Sequence, residues 1–318
     1  MAFKRRDPSF TGIVRLPWGS ADPCACKSGN LYGECCGVSG RAYKPVRFPI
    51  PPRPTTGIAT TNCYMSSTND CAPTLSGEHF VSASVLRVLS EKDVAVNGTP
   101  WLRGTRKALP IKRLVANILC ARHNSAMSPL DETAGEFFSA VRRIYDDLGS
   151  PKTLSRKPQW FLFSGEELEL WLVKTAFGLY HSGNVAKDGK KLCDTQEINP
   201  AMLQALLGRR IVQPTGLHIL KDRKRHTAYR NSLSFQSLSS DQNERMIGFR
   251  LSFMGVEATI LIDPQVSAYG EDFFTPLQYR PTYLMFRNKL RQHTIMLTWP
   301  LDVPQTAVLF NSIGPATP

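Results

Sequence analysis

The chain has 318 residues, 42% of them apolar and 20% charged, with a formal net charge of +13. That length can bury one large core or two modest ones. No run of eighteen apolar residues exists and Met1–Phe10 lacks the apolar core of a signal peptide, so a cytosolic protein with no membrane partner is expected. In such a reducing compartment the eight cysteines are metal ligands or core fillers before they are disulfides.

Residues 1 to about 50 are rich in Gly, Cys and basic residues, and Phe48-Pro49-Ile50-Pro51-Pro52-Arg53-Pro54 then predicts an extended linker. Within 55–150, Ser128-Pro129-Leu130-Asp131 supplies an N-cap, a first-turn proline and an acid. Ala134, Phe137, Phe138, Val141, Ile144, Tyr145 and Leu148 follow at helical spacing, and Gly149 is a natural stop. A basic, proline-marked joint spans Ser150–Pro158. Ser164-Gly165-Glu166-Glu167 opens a second helix running through Trp171 and Phe177 towards Gly183, and Asn199-Pro200 to Gly208 predicts a third. Beyond it the period falls to two. Ile247, Phe249, Leu251 and Phe253 alternate, Met254-Gly255 turns, and Val256, Ala258, Ile260 and Ile262 alternate again, which predicts a hairpin. Tyr283–Phe286 and Thr294–Trp299 predict another strand pair. The expected class is α+β, in three units: a zinc module over 1–50, a zinc-stapled domain over 55–150, and a mixed α+β domain of unassigned task over 158–318.

Two cysteine sets carry the chemistry. Cys24, Cys26, Cys35 and Cys36 place four soft donors within thirteen residues, which suits tetrahedral zinc. So short a segment has little core of its own, and metal binding would supply its folding energy. Asp22-Pro23-Cys24, Cys26, Ser28-Gly29, Tyr32 and Cys35-Cys36-Gly37 together resemble the SEC-C motif, a short zinc-binding module. The resemblance implies a protein-contacting role.

Cys63 and Cys71 are seven residues apart, and Cys120 and His123 are separated by two; together they make a candidate Cys3His zinc site. Glu78-His79-Phe80-Val81-Ser82 lies between the halves, and Leu119-Cys120-Ala121-Arg122-His123-Asn124 contains the second. That order resembles the HNH, or ββα-metal, nuclease family, over about residues 60–128. The resemblance implies a zinc-pinned ββα domain in which His79 is the general base and Glu78 and Asn124 hold Mg²⁺ or a similar divalent ion. Glu stands where the family has Asp, Val81-Ser82 departs from the family's x-Pro, and Asn117 offers a middle Asn at a shorter offset.

The expected function is metal-dependent hydrolysis of phosphodiesters in nucleic acid, DNA before RNA. The competing expectation is a non-catalytic zinc-scaffolded adaptor, derived from the same fold, that binds nucleic acid or protein. The charge favours a polyanion partner: residues 1–158 hold 22 Lys+Arg against 12 Asp+Glu, and the remainder 17 against 14. Arg103, Arg106, Lys107, Lys112 and Arg113, between His79 and Cys120, are the expected footprint. His181, His218, His226 and His293 have no partner pattern and are assigned structural or solvent roles, as is Cys193. Lys221–His226 reads as a solvated basic loop.

Overall fold

The computed structural model describes residues 15–37, 41–97, 99, 102, 105–149, 158–187, 189–221, 232–240, 245–288 and 290–311. The N-terminal Met1–Phe10, the joint at 150–157, Arg103, and residues 222–226 of the basic run lie outside them.

After a cysteine-rich N-terminal loop come β1 (Leu75–His79), α1 (Ala83–Leu89), β2 (Asp93–Val96), β3 (Lys107–Pro110), β4 (Val115–Cys120) and α2 (Ala121–Gly149). β5 (Trp160–Ser164), α3 (Gly165–His181), the short β6 (Ala186–Lys187), β7 (Lys190–Lys191), α4 (Leu192–Thr195) and β8 (Glu197–Ile198) follow. The remainder is β9 (Gly216–Leu220), β10 (Leu233–Ser239), β11 (Arg245–Phe253), β12 (Val256–Leu261), α5 (Glu271–Phe274), β13 (Leu277–Tyr279), β14 (Tyr283–Arg287), β15 (Gln292–Thr298) and β16 (Ala307–Asn311). The class is mixed α+β, as the sequence predicts.

Two larger sheets enclose α3. One has the order β10-β11-β12-β9-β13, with β8 also pairing β11; the other runs β16-β14-β15-β5. The predicted hairpin is β11–β12, and its turn residues Met254 (φ 48°) and Gly255 (φ 90°) are both left-handed, as a two-residue hairpin twisting with its strands requires. The predicted pair β14–β15 is antiparallel, while β15 with β5 and β14 with β16 are parallel. α3 touches both sheets and α2, so almost every residue from Glu167 to Leu179 is buried. Ser164 caps it by accepting from Glu167 N at 3.3 Å, on the predicted signal.

α2 departs from expectation. Instead of starting at Pro129 it begins at Ala121 and runs 29 residues, about 44 Å, with Pro129 inside. A proline there removes the bond to the carbonyl of Ser125, an exposed residue. The first turns are held independently, by the side chains of Cys120 and His123 and by β4. Gly135 lets α1 cross closely: a Cβ at that position would lie 2.7 Å from the Ser84 side chain.

β1 and β4 form a two-stranded antiparallel pair whose register shifts between Ser76 and Glu78, so that Asn117 and Ile118 stand opposite Gly77 alone. Both strands pack against α2. One apolar core runs from Cys63 to Phe310 and includes β4, α2, α3 and both sheets. The N-terminal cysteine loop packs on the β16-β14-β15-β5 sheet, where Cys24, Tyr32 and Cys36 meet Leu162, Tyr283, Met285 and Met296.

Candidate metal centres and the His79 site

All four donors of each cysteine set converge, with the ligand atoms of Cys24, Cys26, Cys35 and Cys36, and those of Cys63, Cys71, Cys120 and His123, within 4.8 Å of one another. A tetrahedron with metal–sulfur bonds of about 2.3 Å has edges of about 3.8 Å, and a sulfur–nitrogen edge is about 3.5 Å. Cys26 Sγ lies 3.5 Å from Cys35 Sγ, which is 3.8 Å from Cys36 Sγ. His123 Nδ1 lies 3.7, 3.7 and 3.1 Å from the sulfurs of Cys63, Cys71 and Cys120. Both donor sets therefore fit zinc in chemistry and in size.

The second site is built from two separate pieces of chain. Cys63 and Cys71 flank a 3-10 turn at Ser66–Thr68, Cys120 ends β4, and His123 lies in the first turn of α2. His123 Nε2 is 3.2 Å from Thr68 Oγ1, whose own proton goes to the Met65 carbonyl at 2.8 Å. The hydroxyl can therefore only accept from Nε2–H, which leaves the Nδ1 lone pair facing the three sulfurs. Main-chain N–H groups of Ala72 and His123 point at the Cys120 sulfur, at 3.4 and 3.5 Å. Burial pushes the Cys63 thiol up to about 12.

The nuclease-like triad sits beside this site, but its members have separate partners. Glu78 is buried, and Lys174 of α3 donates to its Oε1 at 2.7 Å and to Asp131 Oδ2 at 2.5 Å. Ser82 donates to the other Asp131 oxygen and accepts from Trp171 Nε1 at 2.7 Å. Burial opposes the Lys174 ammonium, but Asp131 and Glu78 outweigh it and hold its pKa above the ordinary lysine value. Burial pushes Glu78 up; Lys174 pulls it back only in part, and Asp131 pushes it further. Asn124 donates through Nδ2 to Ser76 Oγ at 3.0 Å. His79 is half-buried, and burial holds its imidazole below the usual histidine range, against the pull of the Ile111 carbonyl. Its Nε2 is buried without a hydrogen-bond partner. Among the described residues, no cluster of three or more His, Cys, Asp or Glu ligand atoms exists beyond the two cysteine sets. Glu78 as it stands is paired with the Lys174 ammonium.

Lys174 and Asp131 were the residues that motif reading missed. The signal for Lys174 was present: a lysine three residues after Trp171, on a helix otherwise apolar at those positions. The histidines without partner patterns behave structurally where described. His293 is buried, donates to Asp147 Oδ2 at 2.8 Å and accepts from Gln159 N at 3.0 Å. His218 lies 3.1 Å from the Gly216 carbonyl through Nδ1.

Around His79 the surface is basic. Arg87 of α1, Arg106 and Lys107 at β3, and Lys112 and Arg113 in the turn before β4 are all exposed, and none has a carboxylate within ion-pair distance among the described residues. No helix among the described residues is long and apolar enough to cross a membrane. The chain matches no family model, no curated protein and no solved structure.

Proposed function

We propose that the chain is a zinc-scaffolded nucleic-acid-binding protein in which the ββα unit presents a basic surface rather than a hydrolytic metal centre. The observation that carries this is Lys174, whose ammonium lies between the carboxylates of Glu78 and Asp131 where hydrolysis would need a divalent ion. An internal cation of that kind neutralises the acids without offering a coordination position to phosphate. Zinc in the Cys63, Cys71, Cys120 and His123 set would hold β4, α2 and the 63–71 loop together, and so fix the platform that carries Arg87, Arg106, Lys107, Lys112 and Arg113. The partner is a polyanion, DNA in this reading, and the N-terminal zinc module is left to a protein contact.

Binding should follow counterion release. If Arg87, Lys107, Lys112 and Arg113 each neutralise one phosphate, log K for duplex DNA falls against log salt with a slope of about −3.6. Lys107→Gln with Lys112→Gln should reduce that slope by about 2 and weaken all sequences alike. A flat salt dependence would sink this proposal.

A second reading, phosphodiester hydrolysis with His79 as general base, is favoured by one observation: the buried, unpartnered Nε2 of His79, whose pKa burial lowers. It requires Lys174 to release Glu78, and it predicts cleavage that His79→Ala removes.

A further inference from the structure

A cavity of about 490 Å³ opens beside the basic surface, between the end of β1, helix α1, the β2–β3 hairpin and strand β10. Sites for small organic molecules typically measure about 300–1,000 Å³ and combine apolar walls with a few fixed polar groups. Here the walls include Phe80, Leu86, Leu179 and Phe235, and buried Thr99 and the exposed charges Arg106 and Asp93 also line it. Thr99 is only 8% exposed, and its Oγ1 is buried with no hydrogen-bond partner. A buried hydroxyl left without a partner destabilises a fold unless something supplies one. Arg106 is exposed, is followed by exposed Lys107, and neither is engaged by a carboxylate among the described residues.

We propose that this cavity takes one nucleotide, its base among the aromatic and aliphatic walls, its polar edge on Thr99, and its phosphate at Arg106. The combination selects the class. An aliphatic chain would leave the Thr99 hydroxyl unmet. A neutral sugar would make no use of the charge on Arg106. A free anion needs no apolar walls. A planar heteroaromatic ring bearing a phosphate satisfies all three features, and base–aromatic contacts are the usual means of holding unpaired nucleotides. The nucleotide has two sources, a free mononucleotide or an unpaired unit of a strand; in the second case the site deepens the nucleic-acid reading above.

The test is equilibrium binding to the full chain with zinc, followed by fluorescence, using 2-aminopurine riboside monophosphate and a single strand carrying 2-aminopurine at one position. An abasic strand of equal length supplies the phosphates without the base. Saturable binding with a change in 2-aminopurine emission is expected for at least one probe, with the abasic strand weaker. Phe235→Ala should weaken it by roughly 5- to 150-fold. Thr99→Val, which keeps the shape of the side chain, should weaken it with no change in the unfolding midpoint. Binding of the mononucleotide assigns a free ligand, and binding of the strand alone assigns an unpaired unit. The proposal is overturned if neither probe saturates, or if both variants bind as the parent does. Duplex binding is measured alongside: its survival after such a failure leaves the basic surface standing without the pocket, and its absence beside mononucleotide binding leaves the pocket without the surface.

Discussion

Replacing Lys174 by Met keeps the length of the side chain and removes its charge, and the consequence follows from its surroundings. Lys174 and Glu78 are 3% and 5% exposed at their side chains and Asp131 is 25% exposed, so two carboxylates lose a shared cation in a site water scarcely reaches. Breaking a buried ionic group by removing one partner costs about 3–5 kcal/mol. At about 2–4 °C per kcal/mol, the midpoint should drop by roughly 6–20 °C. The deficit should depend on pH with a definite sign. Without Lys174, burial and Asp131 act on Glu78 unopposed, so its folded pKa rises further above the unfolded value. A carboxyl of that kind binds its proton more tightly in the folded chain, and the variant gains stability as pH falls from 8 towards 5. The parent, whose Glu78 is raised less because Lys174 opposes the shift, gains less over that range, and Lys174 itself keeps its contribution until the pH climbs above the ordinary lysine range. Guanidinium unfolding followed by tryptophan emission reads both effects, and Glu78→Gln with Asp131→Asn in the Lys174→Met background should recover at least half of the loss. A deficit below about 1 kcal/mol, or one identical at pH 5 and pH 8, would refute the assignment of Lys174 as the internal cation.

Metal analysis of protein prepared without chelators should return two zinc ions per chain. Cys120→Ala should lose one of them and unfold the 63–149 region, whereas Cys24→Ala should lose the other and leave that region's circular dichroism intact. Pro129→Ala restores a donor at an interior helical position and should stabilise the chain by about 2 kcal/mol, read as a higher thermal midpoint; a lower midpoint would mean the proline is needed where it stands.

Local signals marked α3, the turn over Pro200–Leu207 and the pairs β11–β12 and β14–β15, but no other element of the C-terminal half. Ser164 caps α3, Asn199 caps the turn over Pro200–Leu207, and the left-handed pair Met254-Gly255 makes the hairpin, each by chemistry confined to a few residues. The two donor sets were equally legible, because thiolates at those spacings have few other uses. What failed was whatever depends on distant chain. Pro129 reads as a helix start only if the cysteine site that anchors the preceding turns is ignored. The parallel pairing of β5 with β15 joins residues about 130 apart, which periodicity cannot show. Glu78 reads as a free ligand until α3 brings Lys174 against it, nearly a hundred residues later in the chain.

The most direct measurement is a single gel. Zinc-loaded protein is incubated with supercoiled plasmid in Mg²⁺ or Mn²⁺, at about 50 and 200 mM salt, with half of each sample deproteinised before loading. A binding protein whose acids are held by Lys174 shifts the plasmid at the lower salt, releases it at the higher, and yields only supercoiled DNA after deproteinisation. Nicked or linear plasmid that disappears with His79→Ala would contradict this and restore hydrolysis as the function, and no shift at either salt would remove duplex DNA as the partner.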